Sequence, residues 1–101
     1  MDIENKSFDI LIPVDVERSK HVTITLLPEA VKDILDEIVK MKTKGLDVIG
    51  VIVNEKAFTT KSSYADFHRV LERFNQRMIG TIFGCKVFLY LGAPRVFAIG
   101  E

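Results

Sequence analysis

In the segment that runs from Leu27 to Gly45, the apolar residues Val31, Ile34, Leu35 and Ile38 recur at spacings of three, four and seven, and β-branched runs stand on either side. This helical period set between strand periods constrains the fold more than any other feature, because a 3.6-residue stripe must be buried against a neighbouring surface, and here that surface is a sheet. Pro28 suits the first helical position and Glu29 favours the positive end of the helix dipole. Lys40, Lys42 and Lys44 crowd the other end, and Gly45 supplies a stop. The pattern predicts a helix over residues 28–44, with Val39 and Met41 flanking its apolar stripe.

Ahead of it, residues 7–14 contain a short apolar run ended by Pro13, and residues 21–26 alternate His21, Thr23 and Thr25 with Val22, Ile24 and Leu26. Period two marks a half-buried strand with one wet face. Residues 47–54 form a continuous β-branched run that predicts a central strand, in which Gly50 marks a close approach or a bend. The mixed, polar residues 55–62 are expected to form a crossover loop and to be the most mobile segment. Ser63 and Asp66 make a capping-box pattern, and Phe67, Val70, Leu71, Phe74 and Met78 follow at helical spacing. Gly80 and Gly84 then read as a helix stop and a tight turn. Residues 85–91 and 95–99 read as a terminal hairpin around Gly92-Ala93-Pro94.

The resulting order, β-β-α-β-α-β-β, predicts one α/β (α+β) domain over residues 1–101, with a mixed sheet, two helices on one face and a closing β-hairpin. A chain of 101 residues buries about 65% of its extended surface, which suffices for one core and excludes a multi-domain enzyme. Its 14 Lys+Arg balance 14 Asp+Glu, so a generally basic nucleic-acid or membrane binder is excluded. The zero is nonetheless a sum: residues 1–55 hold 11 acids and 7 bases, and residues 56–101 hold 3 acids and 7 bases. A single cysteine, Cys85, allows no internal disulfide and fits a reducing compartment. Two acids in residues 1–6 and no long apolar run predict an unprocessed, cytoplasmic chain without a membrane span. A hydrophobic share of 48% and a mean hydropathy of +0.19 are high for so small a chain, which suggests apolar surface buried against another chain.

No motif announces a chemistry. His21, His68 and Cys85 are isolated in sequence, unlike a zinc site, so each reads first as a wet strand residue, a helix-edge residue and a small core residue. Cys85 or Ser63 with His68 would need an orienting group, and Ser63 is already explained as a cap. The glycines match neither phosphate-loop pattern. No catalytic residue, cofactor or metal is expected. Arg69, Arg73 and Arg77 recur every four residues, and with Lys86 they could contact phosphates while Phe88, Tyr90 and Phe97 stack on bases. A solvated helix face balanced by Glu72 explains the same arginines without a ligand.

Residues 79–87, Ile-Gly-Thr-Ile-Phe-Gly-Cys-Lys-Val, resemble an apolar-glycine-x-apolar-phenylalanine-glycine element near the ends of some phage head and other small phage-encoded proteins. The resemblance implies a phage or viral accessory origin and assigns no functional residue. The favoured expectation is a non-enzymatic, homo-oligomeric structural or accessory protein, open also to a heterologous protein partner. Its expected interface is Phe88, Tyr90, Arg95 and Phe97, rimmed by Arg73 and Arg77. The alternative is a small nucleic-acid-binding module that uses Arg69, Arg73, Arg77 and Lys86.

Overall fold

Alternating side chains in the first two strands place one apolar row against the interior. In the computed structural model, which describes residues 6–93 and 96–101, β1 (Ser7–Pro13) pairs antiparallel with β2 (Ser19–Leu26). Phe8, Ile10 and Ile12 lie on one face with Val22, Ile24 and Leu26, all six buried. Helix α1 (Pro28–Thr43) begins at Pro28 and ends in a left-handed Gly45, φ +79°. There the Gly45 N–H donates to the Lys42 carbonyl and the Leu46 N–H to the Met41 carbonyl, which caps the last turn. Ala30, Val31, Ile34 and Ile38 are buried, whereas Leu35 and Val39 stay 41% and 61% exposed, so the buried stripe is narrower than the spacing suggested.

Strand β3 (Val48–Val53) follows, then a short 3-10 turn (Glu55–Ala57), β4 (Phe58–Thr60), α2 (Tyr64–Phe74), β5 (Arg77–Ile82), β6 (Cys85–Leu89) and β7 (Phe97–Gly100). The strands form two sheets, a three-stranded one in the order β1-β2-β4 and a four-stranded one in the order β5-β6-β3-β7. Helix α1 lies on β3 and β7, and α2 lies on β1, β2 and β5. One core joins the inner faces of both sheets to both helices.

Four departures from the sequence reading have local causes. The crossover loop contains β4, because Ala57 and Phe58 are buried and Phe58 pairs with Leu26 at the end of β2. Helix α2 stops at Phe74 rather than running on through Met78. Gln76 adopts a left-handed φ of +64° and its N–H donates to the Leu89 carbonyl at 2.6 Å, which turns the chain into β5. Gly80 therefore sits within β5 and not at a helix end, and the Phe8 ring occupies the space a side chain there would need. The closing hairpin is displaced as well: β6 pairs antiparallel with β5 through a turn at Phe83 and Gly84, while β7 pairs with β3. Strand β3 thus lies between β6 and β7, the two strands that were expected to be neighbours.

In the connection from β6 to β7, the described residues 91–93 are held by three side chains. The Asn75 side-chain oxygen accepts from the Leu91 N–H at 2.9 Å, Glu55 accepts from the Gly92 N–H at 3.1 Å, and the Asn54 amide donates to the Ala93 carbonyl at 2.8 Å. Pro94, placed by the sequence in this turn, lies outside the described residues.

The Phe8 ring packs edge-on against Phe58 with centroids 6.3 Å apart, so it has little room to yield. Gly80→Ala is expected to lose about 1–3 kcal/mol of stability from overpacking. Urea unfolding of Gly80→Ala, Phe8→Leu and the double variant checks this. The double variant should lose less than the sum of the singles, and simple additivity would refute the close approach.

Candidate functional site

Each sheet turns one face away from the common core, and the two outer faces differ in chemistry. On the three-stranded sheet the outer face carries Ser7, Asp9 and Leu11 from β1, His21, Thr23 and Thr25 from β2, and Thr59 from β4, a polar set apart from Leu11. On this face Ser7 Oγ lies 2.9 Å from Thr25 Oγ1, and at the β4 edge Thr60 Oγ1 donates to the Thr23 carbonyl at 2.7 Å. Ser7, His21, Thr23, Thr25, Thr59 and Thr60 line a shallow concavity of about 690 Å³ with Lys61 and Ser62. His21 Nδ1 lies 3.0 Å from an Asp9 carboxylate oxygen, and both side chains are exposed. The face is wet and hydrogen-bonded, as the period-two pattern implied.

The outer face of the four-stranded sheet is apolar. Pairing puts Met78 opposite Phe88, Phe88 opposite Ile52 and Ile52 opposite Phe97, so a single register row crosses all four strands. Alternation assigns the row to the side away from the core, since its chain neighbours Val51, Val53, Val87 and Leu89 are fully buried in the core. Gly50, in the next row, shares this face: Phe88 Cε2 lies 2.9 Å from where a Gly50 Cβ would stand, so the ring lies down over the glycine. Ile52 is shielded by its neighbours at 8% exposure, but Met78 and Phe97 remain 43% and 37% exposed. The next row adds Thr81, Lys86 and Ile99, and Tyr90 continues β6 beyond Phe88, 37% exposed.

Phe88, Tyr90 and Phe97 therefore share one open face, joined by Ile52, Met78 and Ile99, which the sequence reading did not single out. Met78 was hidden by its fit to the α2 stripe, and Ile52 by its place in a run that is apolar on both sides. Lys86 shares the face. Arg69 and Arg73 do not: they sit on α2 and line a depression with Glu72, Ile12 and Pro13 of β1. Arg77 lies on β5, so the continuous arginine face on one helix does not form. Arg95 lies outside the described residues.

The catalytic candidates are engaged elsewhere. Ser63 caps α2 by accepting from the Asp66 N–H at 3.2 Å. His68 is exposed, 2.8 Å from Glu72 and stacked on Tyr64. Cys85 is buried with its thiol toward the Phe83 and Val48 carbonyls. Among the described residues no group of three or more His, Cys, Asp or Glu is placed to hold a metal ion, and no helix is long and apolar enough to cross a membrane. The segment that resembles a phage element forms the β5–β6 hairpin, where the turn at Gly84, φ +76°, and the Phe8 contact at Gly80 account for its glycines.

Asp66 is a structural acid. Its carboxylate, almost covered, takes a 2.5 Å hydrogen bond from Lys20 of β2 and so ties α2 to the three-stranded sheet. Lys20 holds the Asp66 carboxyl below its ordinary value of 3.8, against the opposing pull of desolvation, with help from Ser63 and Arg69. Asp15, in the β1–β2 turn, is lowered by the Glu17 N–H and Arg18. No family model, curated protein or solved structure matches this chain.

A carboxyl whose folded pKa is depressed stabilises the fold above its unfolded pKa and loses that contribution as pH falls through the folded value. Stability should therefore decline as pH drops below the ordinary Asp66 value of 3.8. Asp66→Asn should be less stable at neutral pH and show a shallower acid limb. Denaturant melts of both proteins from neutral pH into the acid range check this, and identical pH slopes would count against the Lys20 contact.

Proposed function

We propose that this protein is a non-enzymatic accessory or structural component that works by self-association, through the open apolar face of its four-stranded sheet. The observation that supports the reading is the register row Met78–Phe88–Ile52–Phe97, apolar on every strand and not covered by either helix. Burial of apolar surface contributes about 25 cal/mol per Å², and a contiguous apolar face on a small domain commonly marks a contact site. The hydroxyl-lined face of the other sheet offers water no such gain on leaving. A heterologous protein with its own apolar face is the second class of partner compatible with this surface.

Size sets the strength. Four strands about 4.8 Å apart and some five residues long at about 3.4 Å each present roughly 300–350 Å² of flat face. Standard interfaces bury about 800 Å² per partner. The association is thus expected to be weak and reversible unless the surrounding rim joins it.

One arrangement favours nucleic acid as a second reading: Lys86, Phe88 and Phe97 share an open sheet face on which bases could stack. Against it, Arg69 and Arg73 lie on α2, with the β1 residues Ile12 and Pro13, rather than around that face.

Sedimentation across about 10 µM to about 1 mM, a range suited to an undersized interface, should show mass rising from monomer toward dimer. Phe97→Ser should hold the protein monomeric while leaving its melting curve nearly unchanged, because Phe97 is an exposed edge-strand residue. A strict monomer throughout would sink the self-association reading. Labelled oligonucleotides titrated at low salt should bind no tighter than about millimolar. Tighter binding that falls with Lys86→Ala would favour the nucleic-acid reading instead.

A further inference from the structure

The open face carries charge at opposite ends as well as an apolar row. Gly100 points at Met41 of α1, so alternation turns the next residue, Glu101, toward the open side. Asp47 goes with it, because the two residues are joined by a pair of backbone hydrogen bonds of 3.0 and 2.9 Å that extend the β3–β7 ladder. Two exposed carboxylates thus lie side by side at the foot of β3 and β7, an unfavourable cross-strand pairing of like charges. Lys86 stands on β6, in the Gly50 row. None of the three belongs to the five ion pairs formed among the described residues, Asp15–Arg18, Lys20–Asp66, Asp9–His21, Glu37–Lys40 and His68–Glu72.

We propose that the occupant of this face is a second copy related by a two-fold axis that runs parallel to the strands, midway between β6 and β3; the geometry rests on the self-association proposed above. β6 then lies over the partner's β3, and β5 over the partner's β7. Packed sheets keep their strands nearly aligned about 10 Å apart, so the in-plane axes to compare run along the strands or across them. The axis along the strands reverses each row onto itself at the same height. Met78 faces Phe97 of the partner subunit, and Phe88 faces the partner's Ile52, so large and branched side chains alternate across the contact. The same operation sets Lys86 on the track of the partner's β3, about two residues or roughly 7 Å above the partner's Asp47 and within reach of its own long side chain. By symmetry this happens twice. The axis across the strands would oppose Met78 to itself and Phe88 to itself, and would carry Lys86 to the end of the face remote from both carboxylates.

Charge exchange and cross-linking test this geometry on the full chain. Lys86→Glu alone and Asp47→Lys with Glu101→Lys should each raise the dimer dissociation constant about tenfold, and the three changes combined should restore it to within about threefold. Combined changes that bind no better than either set would overturn the axis. Thr81 and Ile99 lie in the Lys86 row at opposite edges of the sheet, about 14 Å apart within one chain at three strand spacings. Under the proposed axis each faces the other across the dimer. A bismaleimide matched to the roughly 10 Å between packed sheets should couple Thr81→Cys/Ile99→Cys into covalent dimers and leave each single variant monomeric, since Cys85 is buried. Dimers that form equally from a single variant, or none from the double variant although sedimentation shows association, would overturn the axis and leave self-association standing. A protein monomeric by sedimentation would overturn both.

Discussion

Strand β3 accepts a partner on each edge, and the rest of the molecule follows from that double pairing. Its parallel partner, β6, can be reached only by a crossover, because a parallel neighbour cannot be joined by a tight turn. That crossover contains β4, α2 and β5, so the second helix and most of the link between the sheets exist to bring β6 alongside β3. The antiparallel partner, β7, closes the other edge and gives α1 a second strand to lie on. Val51 and Val53, fully buried, carry the inner face of this strand into the common core, while Gly50 and Ile52 carry its outer face. Loss of either pairing would leave a long apolar strand with an unpaired ladder in water.

Two sheets have four faces, and the two helices pack on the inner pair. What happens on the outer faces is then decided by side-chain chemistry. On β2 the outward positions are His21, Thr23 and Thr25, polar residues of which Thr25 meets Ser7 and His21 meets Asp9 on β1. On the four-stranded sheet the outward positions are Met78, Phe88, Ile52 and Phe97, and the Phe88 ring lies over Gly50 in the next row. Ile52 is buried on the inner strand β3, while Met78 and Phe97 on the two edge strands stay exposed. The asymmetry between the two faces, more than any single residue, makes one of them a candidate for contact.

Much of the fold was legible locally. The helix ends at Pro28, Gly45 and Ser63 follow from backbone chemistry that acts within a few residues, and the Thr–Val alternation of β2 identified its wet face. The aromatic face was half legible, since alternation along β6 groups Phe88 with Tyr90 and Lys86 wherever that strand goes. Its other members were not. Met78 matched a helical period by coincidence, and only the left-handed Gln76 and its bond to Leu89 show that the helix has already ended. Phe58 gave no strand signal because β4 is three residues long and is held in place by β2.

The amino-acid sequence by itself determined both helices, five of the seven strands and the neutrality of the whole, because periodicity, capping and composition are properties of neighbouring residues. Only the tertiary structure decided that β7 would join β3 instead of β6, that Arg69 and Arg73 would part from Arg77, and that Met78, Phe88, Ile52 and Phe97 would stand in one row. Strand order and register arise from long-range pairing, in which β3 meets residues 36 positions away on one edge and 45 to 52 positions away on the other. Local pattern sets which face of a strand is apolar; the partner a strand finds sets what lies beside it.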